Sequence, residues 1–327
     1  MSNMVPPAEA LAIAGTPPHK KLLARLYDQP LALLLVVGSF LAVSVVFAKT
    51  APAAGWHPLA LLQWAILGGA GLLFLITRAA AAGNGKTAGK ARPACPDWRS
   101  LSAYLLVSGL LFVAPNMIGV VAAPKVGAGF VALTYAFPLV LTYALAVLIR
   151  LERFNWLRGL GVLAGLVGGV LLAGGGAGVS ADAAFWAVAT LAIPVFLAAG
   201  NIYRTLKWPE GVKPVDLALG MMAVAFTALG VFNMAMGIPV TPAAWTPTSL
   251  LLAGGLIAVF AVQYGLYFRL QQVAGPVYLS QIGSVAAITG LGLGYLVFSE
   301  VPNLAKLGAI AAVALGIVFV TLGKSRS

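Results

Sequence analysis

Apolar runs follow one another along this chain almost without pause, broken by short polar turns. About 20 such residues in a helix cross the ~30 Å hydrocarbon core of a bilayer. The pattern predicts ten spans: Leu31–Thr50, Leu59–Thr77, Leu101–Ala122, Gly127–Ile149, Leu157–Ala173, Ala184–Tyr203, Val215–Met236, Ser249–Leu270, Val277–Phe298 and Leu304–Leu322. The expected fold class is an all-α membrane protein.

The spans repeat. Shifted by 148 positions, Gly127 falls on Gly275, Glu152 on Glu300, Asn155 on Asn303, Arg158 on Lys306 and Gly168 on Gly316. The expected organisation is a tail over 1–29, a five-helix unit over 30–174, a linker over 175–183, a second unit over 184–323 and a tail over 324–327. Five is odd, so the second unit enters the bilayer from the opposite side, and the ten helices form two inverted five-helix repeats. Inverted repeats have two near-equivalent packings, the architecture of alternating access.

Charge fixes the orientation. Of 20 basic residues, only Lys49, Lys125 and Lys306 fall in the outer segments when the amino terminus is inside. Both termini are therefore expected in the cytoplasm. The net charge of +12 is thereby read as a topology signal, and no nucleic-acid partner is expected. With 61% hydrophobic and 9% charged residues, the chain is too poor in charge to cover a water-facing surface. Cys95 stands alone and His19 and His57 are isolated, so neither a disulfide nor a metal site is expected. The chain carries no nucleotide-binding motif or catalytic constellation, so no cofactor and no enzyme activity are expected.

The two units end alike, in "FPLVLTYALAVLIRLERFNWLRGLGVLAGLVGGVLL" and "GSVAAITGLGLGYLVFSEVPNLAKLGAIAAVALGIVFV". Each is a span, a turn with a glutamate (Glu152, Glu300) and a Gly-containing final span. Over about 30–323 the chain resembles the drug/metabolite transporter superfamily, in the branch with two EamA-type repeats. The resemblance implies a multi-pass carrier of the plasma membrane, the inner membrane in bacteria, and amino-acid exporters are known among its members.

No ionisable residue lies in the middle of any span, and Lys49, Arg204, Lys125 and Lys306 stand near span ends, where long side chains reach water. The expected cargo is neutral or zwitterionic. Uncharged polar groups are costly in hydrocarbon unless paired or facing a cavity. At the 148 offset Pro115-Asn116 falls on Gln263-Tyr264, two-thirds along oppositely running spans. Gln263 and Tyr267 are four apart; Tyr264, Tyr267 and Gln271 form a helical stripe, and Tyr135, Gln281 and Ser284 add polar groups in the fourth and ninth spans. Candidate solute-binding residues are thus Asn116, Tyr135, Gln263, Tyr264, Tyr267, Gln281 and Ser284, with interhelical pairing the competing role for the amides.

Pro138 and Pro194 each remove a backbone bond inside a span and are candidate hinges, static kinks being the alternative. Structural roles are expected for Glu152 and Glu300, and for the small-residue ladders Gly161-Gly165-Gly169 and Gly308-Ala312-Gly316. The expected function is a secondary-active or facilitative transporter of small neutral or zwitterionic metabolites, exporting amino acids. Export of amphiphilic drugs or cations, a channel, or a non-transporting receptor are the alternatives. Expected partners are a small-molecule solute and the lipid bilayer, with a homodimer left open.

Overall fold

A computed structural model describes residues 29–83, 97–151, 153–174, 181–301 and 304–323. Glu152, both tails apart from Gln29, and most of the linker expected between the units lie outside the described residues.

The described residues form helices and no strand. In chain order these are α1 (Pro30–Thr50), α2 (Pro58–Gly83), α3 (Trp98–Val126), α4 (Ala128–Thr134), α5 (Pro138–Leu148) and α6 (Trp156–Gly174). There follow α7 (Ala181–Ala189), α8 (Ala192–Leu206), α9 (Pro214–Ala235), α10 (Pro247–Leu279), α11 (Ile282–Phe298) and α12 (Leu304–Leu322). Seven described stretches are long and apolar enough to cross a membrane: Pro30–Thr50, Pro58–Ala82, Trp98–Val126, Ala128–Leu148, Ala181–Leu206, Pro214–Ala235 and Pro247–Leu279. Ile282–Phe298 is a shorter apolar helix. The chain is a multi-pass helical membrane protein.

Local sequence sets the starts. Proline opens α1, α2, α5, α9 and α10, where its missing N–H would have found no helical partner. Asp97 caps α3 by accepting from the Arg99 and Ser100 amides, and Thr246 and Ser249 form a reciprocal box at the start of α10. Large apolar side chains such as Leu75, Leu251 and Leu296 remain exposed on the perimeter, where lipid rather than water is their solvent. Inside, Trp56, Leu61, Ile66, Phe112, Met221, Phe260 and Phe268 pack α2, α3, α9 and α10 together.

The helix boundaries depart from the hydropathy pattern at three places. The predicted fourth span is two helices, α4 and α5, separated by a turn at 135–137. The sixth is α7 and α8, broken at 190–191. The ninth, expected from Val277, is also in two pieces: the backbone leaves helical geometry at Gly275 (φ 75°, ψ 178°), a short helical piece runs on to Leu279, and α11 follows the turn at 280–281. A hydropathy window averages side chains and is blind to backbone bonding, so it joins apolar pieces across a break. Pro138 and Pro194 accordingly stand in the first turns of half-helices rather than amid continuous ones.

Candidate functional site

Two of these breaks meet. Gly283, in the first turn of α11, lies so close to the turn after α4 that a Cβ built on it would be 1.4 Å from the Tyr135 carbonyl oxygen. Such an overlap means direct backbone contact, which a glycine alone permits. Tyr135 and Gly283 are also 148 positions apart, the offset of the sequence matches noted above.

A small cavity lies on each side of this crossing. The first is bounded by Ser44, Leu62, Asn116, Gly119, Tyr135 and Phe260. The second is bounded by Leu41, Tyr135, Pro138, Asn201, Tyr267 and Ser280, and Gly283 also reaches it. Along α10 the first meets Phe260 and the second Tyr267, about 10 Å further on at 1.5 Å per residue. Their volumes, ≈ 10 and ≈ 40 Å³, hold one or a few waters and no metabolite. Neither of these two cavities is open to a metabolite. Larger hollows of ≈ 280 and ≈ 350 Å³ lie beside Glu300 and between α5 and α6, but lipid-facing side chains such as Tyr295 and Trp156 line them.

Four of the seven residues singled out from sequence come together here. Asn116 donates from Nδ2 to the Phe112 carbonyl at 2.7 Å and lines the first cavity. Tyr135 lines both cavities, its hydroxyl resting over Gly119. Tyr264 packs edge-on against Phe112 (4.7 Å) and Phe260 (5.2 Å). Tyr267 lines the second cavity. Gln263, Gln281 and Ser284 line neither: Gln263 and Ser284 are buried, their Oε1 and Oγ without a partner among the described residues, and half-buried Gln281 precedes α11. Of the candidate hinges, Pro138 borders the second cavity and Pro194 is buried on α8. The helices carrying the small-residue ladders, α6 and α12, pack on one another.

Arg204 overturns an expectation. Its place near a span end suggested a side chain reaching water, yet it is 2% exposed. Distance from a span end does not fix which way a helix face turns, and packing turns this one inward against α10. Nη2 donates to Asn201 Oδ1 at 3.0 Å and to Tyr267 Oη at 2.7 Å, and Nε to Gln271 Oε1 at 3.3 Å. Tyr267 Oη donates in turn to Asn201 Oδ1 at 2.8 Å, and Gln271 Nε2 to the Asn201 carbonyl at 3.2 Å. Every acceptor is neutral. Arg204 forms no ion pair with any described residue.

Glu300 is the opposite case. Its carboxylate pairs with Lys49 at the end of α1 and accepts from the Ala128 and Gly129 amides at 2.9 and 3.0 Å, closing the start of α4. Burial works to raise the Glu300 pKa, but Lys49 and the two amides outweigh it and hold the carboxyl below its usual range. The Lys49 ammonium also sits 4.1 Å from the Phe298 ring centroid. Gly127, at φ 100°, makes the sharp exit from α3 that brings α4 under this carboxylate.

Sequence reasoning missed Ser44, Arg204 and the Tyr135–Gly283 contact as parts of the site. Asn201 and Arg204, three apart, do form a polar stripe that mirrors Tyr267 and Gln271, a signal for an inward face.

Comparison with models of protein families and with curated proteins gives no match. Among solved structures, one described only as "Crystal structure of protein" is similar, with a TM-score of 0.57 and 17% identity over 89% of this chain and 99% of that one. At that identity the likeness shows a shared fold alone.

Proposed function

We propose that this chain is a secondary-active or facilitative transporter that moves small neutral or zwitterionic metabolites, amino acids first among them, by alternating access. In this reading ten spans form two inverted five-helix repeats of the drug/metabolite transporter kind. The protein sits in the plasma membrane (the inner one in bacteria) with both termini in the cytoplasm, and export is its direction.

One observation carries the reading: Tyr135 and Gly283, positions 148 apart and equivalent in the two units of this reading, touch at helix breaks between two small cavities. Broken helices at a repeat interface are where carriers place their binding sites. The contacts between helices agree with a pseudo-two-fold. α1 packs on α10 and α11 as α8 packs on α3 and α5, α2 meets α10 as α9 meets α3, and α6 meets its own counterpart α12. Two packings related by that axis would open one cavity or the other, with Tyr135 as the shared wall. No acidic side chain lines either cavity, which supports a route without a carboxylate proton relay.

The test is uptake by purified full-length protein in liposomes against a panel of labelled amino acids, with empty vesicles as background. Saturable, counterflow-stimulated uptake is the expected result. Flux that never saturates would make it a channel, and binding without flux a receptor.

A further inference from the structure

A cation sealed among neutral partners inside a membrane protein is an unusual expense of stability. The desolvation of a buried charge is offset well only by an opposite charge, and intramembrane cations of this kind mark ligand or ion sites. Arg204 has five N–H donors, of which Nε and Nη2 engage Gln271, Asn201 and Tyr267. Nη1 makes no hydrogen bond to any described residue. It rests over Gly200, where a Cβ would stand 2.9 Å away, so the absence of a side chain at that position makes room for the guanidinium.

Two buried hydroxyls lie near it on α3. Tyr104, 1% exposed and within electrostatic reach of Arg204, and Ser108, fully buried one turn further along the same face, lie beside one another and make no well-formed hydrogen bond to any other described residue. Buried polar groups are nearly always bonded, and each exception calls for an explanation. Here the unmade bonds are all donors or hydroxyls that can donate, and they accompany an unneutralised positive charge. A group with two oxygens, several lone pairs and one negative charge would complete them.

We infer that Arg204, with Tyr104 and Ser108, binds the carboxylate of the transported solute. The inference rests on the carrier reading above and narrows its cargo to compounds bearing a carboxylate. Arg204 engages it through Nη1, bidentate where Nη2 exchanges Asn201 or Tyr267 for a carboxylate oxygen. Because Asn201 and Tyr267 line the second cavity, that cavity is the side from which the solute arrives. One fixed positive charge matches a monoanionic group; a phosphate dianion would stay half neutralised, and a cation would be repelled. The zwitterionic class survives this narrowing, and a purely cationic drug does not.

The experiment separates binding from flux. Purified full-length protein in detergent is titrated with L-phenylalanine, L-leucine and benzoate, each paired with its own amide, and the same compounds are followed into proteoliposomes. At least one acid is expected to bind about tenfold or more tightly than its amide, the scale of a charged hydrogen bond. Arg204→Gln is expected to erase that preference. Tyr104→Phe removes a hydroxyl whose one neighbour in the fold is Ser108, so it should fold normally and weaken acid binding several-fold. Acids and amides that bind alike, or Tyr104→Phe and Arg204→Gln that both keep the wild-type preference, overturn the site even if Arg204→Gln folds poorly. Binding with acid preference but no flux keeps the site and sinks the carrier. Flux that ignores the carboxylate keeps the carrier and sinks the site.

Discussion

Lys49 and Arg204 occupy like places, each in the last turn of its helix, α1 and α8. A cation there is favoured by the helix's negative end, and in sequence the two look interchangeable. Their surroundings differ completely. Lys49 meets Glu300, which also closes α4, so three segments are tied by one carboxylate. Arg204 is far more deeply buried and meets amides and a phenol. The difference teaches that a charge can serve as a fastener or be held in waiting, and that only its partners tell which.

The largest effect is expected where the two regions join. Gly283→Val would drive a side chain into the Tyr135 backbone and cost about 4 kcal/mol or more, beyond ordinary overpacking. Detergent-extracted protein should be lost from the monodisperse peak in size-exclusion chromatography. A well-folded Gly283→Val would dissolve the crossing on which the comparison hangs.

The sharpest contrast comes from one substitution made twice. Lys49→Met strands Glu300 and should cost about 2 kcal/mol, below the buried-pair range because both partners are 21% exposed. Arg204→Met leaves only neutral groups that already bond one another and should fall within about 1 kcal/mol of wild type. Thermal unfolding in detergent measures both. Equal losses would make Arg204 a fastener too.

Acid probes the Glu300 end alone. A carboxyl held below its usual range contributes fully above the ordinary carboxylate pKa, and the contribution fades as pH falls through the lower folded value. The unfolding temperature should hold from pH 7 to about 5 and decline below about 4, and Glu300→Gln should flatten that decline. The smallest change belongs to Lys125, whose bond to Asp182 at 2.9 Å is solvent-exposed on both sides. Lys125→Ala should cost less than about 0.5 kcal/mol, and added salt should abolish even that.

Much of this was written in the hydropathy pattern. Apolar length announces membrane helices regardless of tertiary detail, but the 148-residue echo does not say that Tyr135 and Gly283 touch. The break at 280–281 was not legible, because it changes backbone bonding without changing polarity. Pro138 and Pro194 flagged two of the interruptions, but a proline alone does not say whether the helix bends or ends before it. Tyr264 and Tyr267 were found because their stripe faces inward; Gln263, one residue away, points elsewhere at 100° per residue. Arg204 was misjudged because position along a helix is local and its facing is collective.

The Tyr135–Gly283 contact has a bearing on descent. Hydrogen at position 283 is the one substituent that lets the opposite carbonyl pass, so no single-letter change there leaves the neighbouring turn undisturbed. A lineage that fills this point must first have redrawn the chain at 135–137. Glycine at this spot is thus tied to the turn it faces, and the two positions can change only together.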